Sequence, residues 1–276
     1  MKKIVSMTLI IVFILTVLFP FFYLISHSLK GEAYMMSIYC NDNYSLWQRI
    51  WIKPFYFDLY QYYEVFFRTP KFLYMFWNSI VLVVIIVIGQ VIISFFAGYG
   101  FSKLKFPGAD ALFLGYIIIM LMPFQVTVVP NYITLSRLQL LDTRGSLILP
   151  GIFNTFGVFF LKQFMEGIDK DFIEEARMQG AREGQVLWHI IIPMCKPIIT
   201  AVVVFIFIDY WSMVEQPIVF IKTTSKYPLS VFLNVINDQK KDISFTTSVL
   251  YMFLPVVLAI YAQGDLVHGL KITNLK

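Results

Sequence analysis

Residues 76–96 read FWNSIVLVVIIVIGQVIISFF, twenty-one positions without Asp, Glu, Lys or Arg. A helix rises about 1.5 Å per residue, so about 20 apolar residues cover the ~30 Å hydrocarbon core of a bilayer. This stretch meets that length, and five more like it lie on either side: Ile4–Ile25, Ala111–Val129, Ser146–Leu161, Ile198–Ile218 and Ser244–Ala262. Pro123 interrupts the third and Pro255 lies inside the sixth, while Pro197 stands where the first turn of the fifth tolerates it. Neighbouring helices can satisfy the backbone groups such residues free, so the pattern predicts an all-α membrane protein of six transmembrane helices. Residues 1–276 are expected to form one transmembrane domain.

Composition agrees with that reading. The apolar share of the 276 residues is 58% and the charged share 14%, with a mean hydropathy of +0.72. An ordinary soluble domain carries roughly a quarter charged residues. A disordered chain, a disulfide scaffold and a soluble enzyme are excluded. Two cysteines, Cys40 and Cys195, make no framework of bridges. The net charge of +5 suits an anionic membrane surface and gives no reason to invoke nucleic acid. Lys2 and Lys3 precede the first span as they would in a secretory signal, but the apolar run is too long and no small-x-small cleavage site follows, so an anchor is expected.

Six spans put both termini on one side, and the positive-inside rule does not say which. Lys and Arg number 11 in segments 1–3, 102–110, 162–197 and 263–276, and 11 in segments 27–75, 131–145 and 219–243. Segment 27–75 is rich in Tyr, Trp and Phe, as an interfacial cap or a partner-docking surface would be. Segment 162–197 is the only long, densely charged one. Asp171 and Glu174 have the spacing of a capping-box-like helix start, and Gly180 suits the left-handed residue that ends a helix. A second helix is expected over Ala181–Ile191, ending before Pro193.

Within that segment Glu174-Glu175-Ala176 is followed by three residues, Gly180, nine residues, then Ile190-Ile191-Ile192-Pro193. This resembles the E-A-A, Gly, I-x-L-P signature of the membrane subunits of binding-protein-dependent ABC importers, with Glu175 and Ile192 departing from it. Further likeness to the sugar-importing branch runs through Pro20-Phe21, Asn78-Ser79, Met122-Pro123, Pro130-Asn131-Tyr132, Leu141-Asp142-Thr143, Trp211 and Pro217, and Gly269-Leu270-Lys271. Ser212 and Met213 replace the branch's Asn and Glu. The likeness is to the maltose-type second permease, a binding-protein-dependent transport system inner membrane component.

The resemblance implies a permease subunit of a bacterial cell-membrane importer for a carbohydrate, an oligosaccharide in particular. It implies a second permease in a heterodimer, two ATPase subunits and an extracytoplasmic sugar-binding protein as partners, and a coupling helix in a cytoplasmic loop 162–197. Both termini are then cytoplasmic, and Cys40 and Cys195 lie on opposite sides. Cys195 is expected to react with an impermeant thiol reagent only in opened membranes. Glu174, Glu175, Ala176, Gly180, Ile190 and Pro193 become the ATPase-coupling set.

No catalytic set accompanies these residues. The chain has no Gly-Lys dipeptide for a phosphate-cradling loop, no G-x-S-x-G elbow, and three histidines in separate segments, so no cofactor or metal is expected. Polar residues placed within spans are costly and therefore functional candidates. Asn78, Gln125, Asn131, Asn154, Asp209 and Trp211 are the candidates for a translocation path, with Gln90 a further intramembrane amide. Asp209, ionisable in mid-span, either faces a polar path or pairs with a partner permease. An importer for a polyol or phosphodiester is the alternative within the class; an ion-coupled transporter or channel is the alternative outside it.

Overall fold

The computed structural model describes residues 2–31, 57–239 and 241–273, with side chains outside residue 2, 235–242 and 266–273. Residues 32–56, with Cys40 and most of the aromatic segment, lie outside the described residues. Among the described residues there are helices and no strands. Five helical stretches are long and apolar enough to cross a membrane, and a bent pair makes a sixth if it crosses as one span. The chain divides into two compact units, residues 1–77 with 228–254 and residues 78–227 with 255–276.

In the first unit α1 (Lys2–Ser28) is apolar around its whole circumference and is exposed from Lys3 to Phe22, with Ile4 at 72% and Phe13 at 69%. Such a helix requires lipid or a partner. Its far end enters a polar knot. Ser28 Oγ lies 2.9 Å from the Tyr62 hydroxyl, Gln61 Nε2 donates to the Lys30 carbonyl at 2.6 Å, and Thr246 Oγ1 donates to Gln61 Oε1 at 2.9 Å. Each buried polar group there finds a partner in place of water.

The second unit holds most of α2 (Pro70–Lys103), then α3 (Ala109–Leu121) and α4 (Phe124–Arg137). The two are bent by 106° at Met122–Pro123. Proline pushes the residue before it into extended backbone, and Met122 has ψ 125°. The stretch 111–129 is therefore a sharply broken pair. After it come α5 (Gly145–Ile152) and α6 (Phe156–Glu166), then α7 (Lys170–Met178) and α8 (Glu183–Val186). A π turn over Leu187–Ile191 carries α8 into α9 (Ile192–Trp211), and α10 (Glu215–Phe220) follows. The chain then returns to the first unit through α11 (Leu229–Gln239) and enters α12 (Lys241–Thr273).

Three expectations about the fifth span and the helix before it are corrected. The loop helix does not end before Pro193: helix is continuous from Glu183 to Trp211. In the π turn the Ile192 N–H reaches back five residues to the Leu187 carbonyl. That wider turn just before Pro193 makes room for a ring that would otherwise break the ladder. Pro193, not Pro197, occupies the first turn of α9. The span also stops at Trp211, because Ser212 donates its hydroxyl to the Ile208 carbonyl and the chain turns into α10.

α9 packs chiefly along α6, over a core that includes Leu82, Ile86, Leu161, Val202 and Ile206, none more than 2% exposed. Small residues set the helix spacing. A Cβ on Gly157 would stand 2.4 Å from Ser94 Oγ, and one on Gly151 would stand 2.8 Å from Ile86. Gly157→Val is therefore expected to destabilise the chain by about 1–3 kcal/mol, since neither backbone can retreat without strain. Thermal unfolding in detergent measures it. Gly100→Ala, whose Cβ meets nothing within 4 Å, is the control expected to leave the midpoint near wild type.

Candidate coupling corner and intramembrane cavity

The charged loop folds as a corner between α7 and α8. Asp169, not Asp171, stands at the N-cap position of α7, in extended backbone at ψ 134°; Asp171 sits in the first turn. A carboxylate there still favours the helix dipole. At the other end the Gly180 N–H donates to the Arg177 carbonyl at 2.9 Å and the Ala181 N–H donates to the Ala176 carbonyl at 3.0 Å. Those bonds form a Schellman closure, and it requires the φ of +86° that Gly180 adopts. A side-chain cap belongs to the next helix, where the Arg182 N–H donates to Gln185 Oε1 at 2.8 Å.

Side chains hold the two limbs of the corner together. Arg177 Nη2 lies 2.6 Å from Glu183 Oε1, and the buried Tyr99 hydroxyl of α2 donates to Glu183 Oε2 at 3.0 Å. Lys103 Nζ, also from α2, donates to the Ile168 carbonyl at 2.6 Å. Ile173, Val186 and Ile191 face inward and are buried. Of the six signature residues, Glu174, Glu175, Gly180 and Pro193 are exposed, and Ala176 and Ile190 half-buried. Sequence reasoning missed the apolar rim they stand beside. Met178 is 84% exposed, Trp188 68% and Phe172 54%. The available signal was the presence of these large apolar side chains in the most charged segment of the chain. Cys195, by contrast, is fully buried, so its expected labelling in opened membranes is corrected: packing hides the thiol whichever side it faces.

Toward the other end of the same continuous helix lies a cavity of about 470 Å³. Gln90, Asn154, Asp209, Tyr210 and Ser212 supply its polar lining, and Phe156 and Phe205 an aromatic wall with centroids 6.2 Å apart. The break between α5 and α6 positions Asn154. Its Oδ1 accepts from the Phe156 N–H at 2.9 Å, and its Nδ2 donates to the Tyr210 hydroxyl at 3.2 Å. Gln90 is 1% exposed, and its Oε1 has no partner among the described residues. Asp209 and Ser212 are exposed at the mouth.

The path candidates thus separate. Asn154 and Asp209 meet at the cavity, with Gln90, Tyr210 and Ser212 added by the fold. Gln125 lies 3.5 Å from Glu215, and Asn131 is half-buried on α4; neither lines the cavity. Trp211 is buried and stacks on Phe207 at 5.5 Å. Asn78 donates instead to the Lys226 and Tyr227 carbonyls at 3.0 and 3.2 Å. Asp142 fastens the same segment, accepting from the Thr223 hydroxyl at 2.6 Å and from the Thr223 and Lys222 N–H groups at 2.8 and 3.0 Å. Those bonds, the Thr223 hydroxyl foremost, hold its carboxyl well below the usual carboxylate range. A depressed carboxylate contributes its stability above its unfolded value and loses it only as pH falls through the folded one, so the clasp persists through mildly acidic pH.

No family model matches the chain. The arabinooligosaccharides transport system permease protein AraQ of Bacillus subtilis is 26% identical over 262 residues, 94% of this chain and 90% of its own length. The protein LplC of the same organism is 30% identical over 217 residues, 78% and 68% of the two chains. Among solved structures, a bacterial ABC transporter involved in the import of the acidic polysaccharide alginate has a chain that superposes with a TM-score of 0.80. It covers 96% of each chain at 24% identity and so establishes the fold.

The corner makes its own prediction. Nothing lies within 4 Å of a Cβ on Gly180, so Gly180→Val acts through the backbone alone. It is expected to weaken the α7 closure by about 1–2 kcal/mol, and Gly180→Asn by less. Hydrogen exchange of the Gly180 and Ala181 amides, which the closure protects, measures both.

Proposed function

Because the chain belongs to the permease subunits of carbohydrate ABC importers, we propose that residues 1–276 act as a single transmembrane domain whose corner at Gly180 docks on a partner ATPase and whose cavity lies on the sugar path. The chain is a transport subunit and not itself an enzyme. In the proposed assembly it pairs with a second permease, two ATPase subunits and an extracytoplasmic binding protein that delivers an oligosaccharide. Both termini and loop 162–197 face the cytoplasm of a bacterial cell.

The observation that carries this reading is the single helix Glu183–Trp211. It bears Trp188 near one end and Asp209, Tyr210 and the approach to Ser212 at the other. From Glu183 to Asp209 it spans about 40 Å, since each residue rises about 1.5 Å. A helix of that length is a stiff lever. Closure of an ATP-loaded ATPase pair under the exposed Met178 and Trp188 would move the corner, and the lever would carry the displacement to the cavity. ATP is then hydrolysed on the partner, and alternating access follows from one helix having an end in each place. Glu174, Glu175, Ala176, Gly180, Ile190 and Pro193 shape the docking surface in this reading, and the apolar rim supplies its affinity.

The test is co-purification of the ATPase, with binding-protein-stimulated hydrolysis, at matched membrane levels. Trp188→Ala is expected to cost about 2 kcal/mol or more of docking free energy, as truncation of a central aromatic anchor does. Gly180→Val should insert normally yet fail to recruit or couple its ATPase. Normal stimulation and uptake in both variants would overturn the assignment. For orientation, Lys105→Cys in a Cys40→Ser background is the reporter, being exposed where Cys195 is buried and lying outside the docking surface. An impermeant maleimide should label it only after the membrane is opened.

A further inference from the structure

The hydroxyl protons around the cavity are already committed. Ser212 donates its hydroxyl to the Ile208 carbonyl at 2.7 Å. The Tyr210 hydroxyl accepts from Asn154 and has the Gly151 carbonyl within 3.5 Å. Asn154 spends both ends of its amide on Tyr210 and on the Phe156 N–H. What the lining still offers to a ligand is three acceptors, the orphaned Gln90 Oε1, the Asp209 carboxyl and the lone pairs of Ser212, beside the N–H donors of the Gln90 amide. A buried amide oxygen without a partner is costly unless something fills the place. No Lys, Arg or His lines the cavity, and no ion pair to Asp209 occurs among the described residues. Beside these acceptors stand the Phe156 and Phe205 rings, the latter 53% exposed.

Acceptors beside an aromatic wall suit a ligand that carries many donors on an apolar ring frame. The volume lies within the range of small-ligand sites. We infer that this cavity is a saccharide subsite selective by charge, in which Gln90 and Asp209 receive the hydroxyl or ammonium groups of an uncharged or amino sugar and a uronate is rejected. A uronate carboxylate would enter without a cation to meet it and with Asp209 beside it. Like charges so placed are strongly disfavoured, and rejection by an unmatched charge is an economical route to specificity. The inference rests on the reading of the chain as a sugar permease and adds to it a substrate class and a specificity residue, Gln90. It also sets this chain apart from the alginate importer whose fold it shares, since that protein handles an acidic polysaccharide.

The experiment uses the assembled importer, purified in lipid nanodiscs without its binding protein, so that the binding protein's own preference does not intrude. Equilibrium binding is measured for three β-1,4-linked trisaccharides: the uncharged glucose trimer, the cationic glucosamine trimer and the anionic glucuronate trimer. The uncharged and cationic trimers should bind, and the anionic one about tenfold or more weakly. Gln90→Leu should weaken the uncharged trimer about three- to tenfold by removing the orphaned acceptor. Asp209→Asn should remove the preference for the cationic trimer, and Asp209→Lys should invert the order. Equal or tighter binding of the glucuronate trimer, no binding of any trimer, or affinities unchanged in Gln90→Leu and Asp209→Asn would each overturn the subsite. Loss of the second permease from the Asp209→Asn complex would also overturn it, in favour of a permease–permease contact. ATPase co-purification from the same wild-type sample keeps the two readings apart. If it persists while the subsite fails, the transport reading stands; if it is absent in wild type, the transport reading itself falls.

Discussion

The unbroken hydrogen-bond ladder from Glu183 to Trp211 is the constraint on which the rest of the second unit depends. Lipid offers no water to an unpaired carbonyl, so a span must satisfy its own backbone. Pro193 and Pro197 withdraw two amide protons from this one. The π turn over Leu187–Ile191 absorbs the disturbance at Pro193, and the helix passes from the charged corner into the apolar core without a break. Had it broken there, the corner and the cavity would be separate objects. As built, they are the two ends of one rod.

At the lower end of the rod, geometry is set by a few bonds of different kinds. Gly180 supplies a backbone conformation, Arg177 and Glu183 an ion pair across the turn, and Tyr99 and Lys103 attach the corner to α2. A half-exposed ion pair by itself contributes little, on the order of 0–1 kcal/mol. Here Glu183 is shared between Arg177 and a buried tyrosine hydroxyl, so it fixes an angle more than it adds stability. With the inward residues packed, Met178 and Trp188 stand out at a defined orientation, which is what a docking surface needs and a loose connector lacks.

At the upper end, the fold sorts polar residues that look alike in the chain. Asn78 and Asp142 both bind the 222–227 segment, one through its carbonyls and the other through its N–H and hydroxyl groups. Asn154 is drawn to the cavity because the break between α5 and α6 leaves the Phe156 N–H for its side chain to cap. Gln90 sits among the most buried residues of the chain and has an unspent acceptor. Chemistry of the same type thus serves a clasp, a cap and a lining, according to which neighbour the packing brings near.

The membrane class, the places of the apolar stretches and the glycine corner were legible in the amino-acid order. Length, charge depletion and the spacing from Glu174 to Pro193 are local properties, and a helix-ending glycine announces its φ wherever it stands. The 106° bend at Pro123 was marked by the proline but not measured by it, since the angle depends on what α3 and α4 pack against. The continuity through Pro193 ran against the local rule, because a π turn is available only where the surrounding helices hold the chain helical. Gln90 could not be ranked above Asn78 from the chain alone. Both are amides within an apolar run of α2 and both keep an unpaired carbonyl oxygen, and only the tertiary structure decides that the Asn78 amide group donates to the carbonyls of Lys226 and Tyr227 while Gln90 stands at a cavity, because a partner distant in sequence exists only once the helices are assembled.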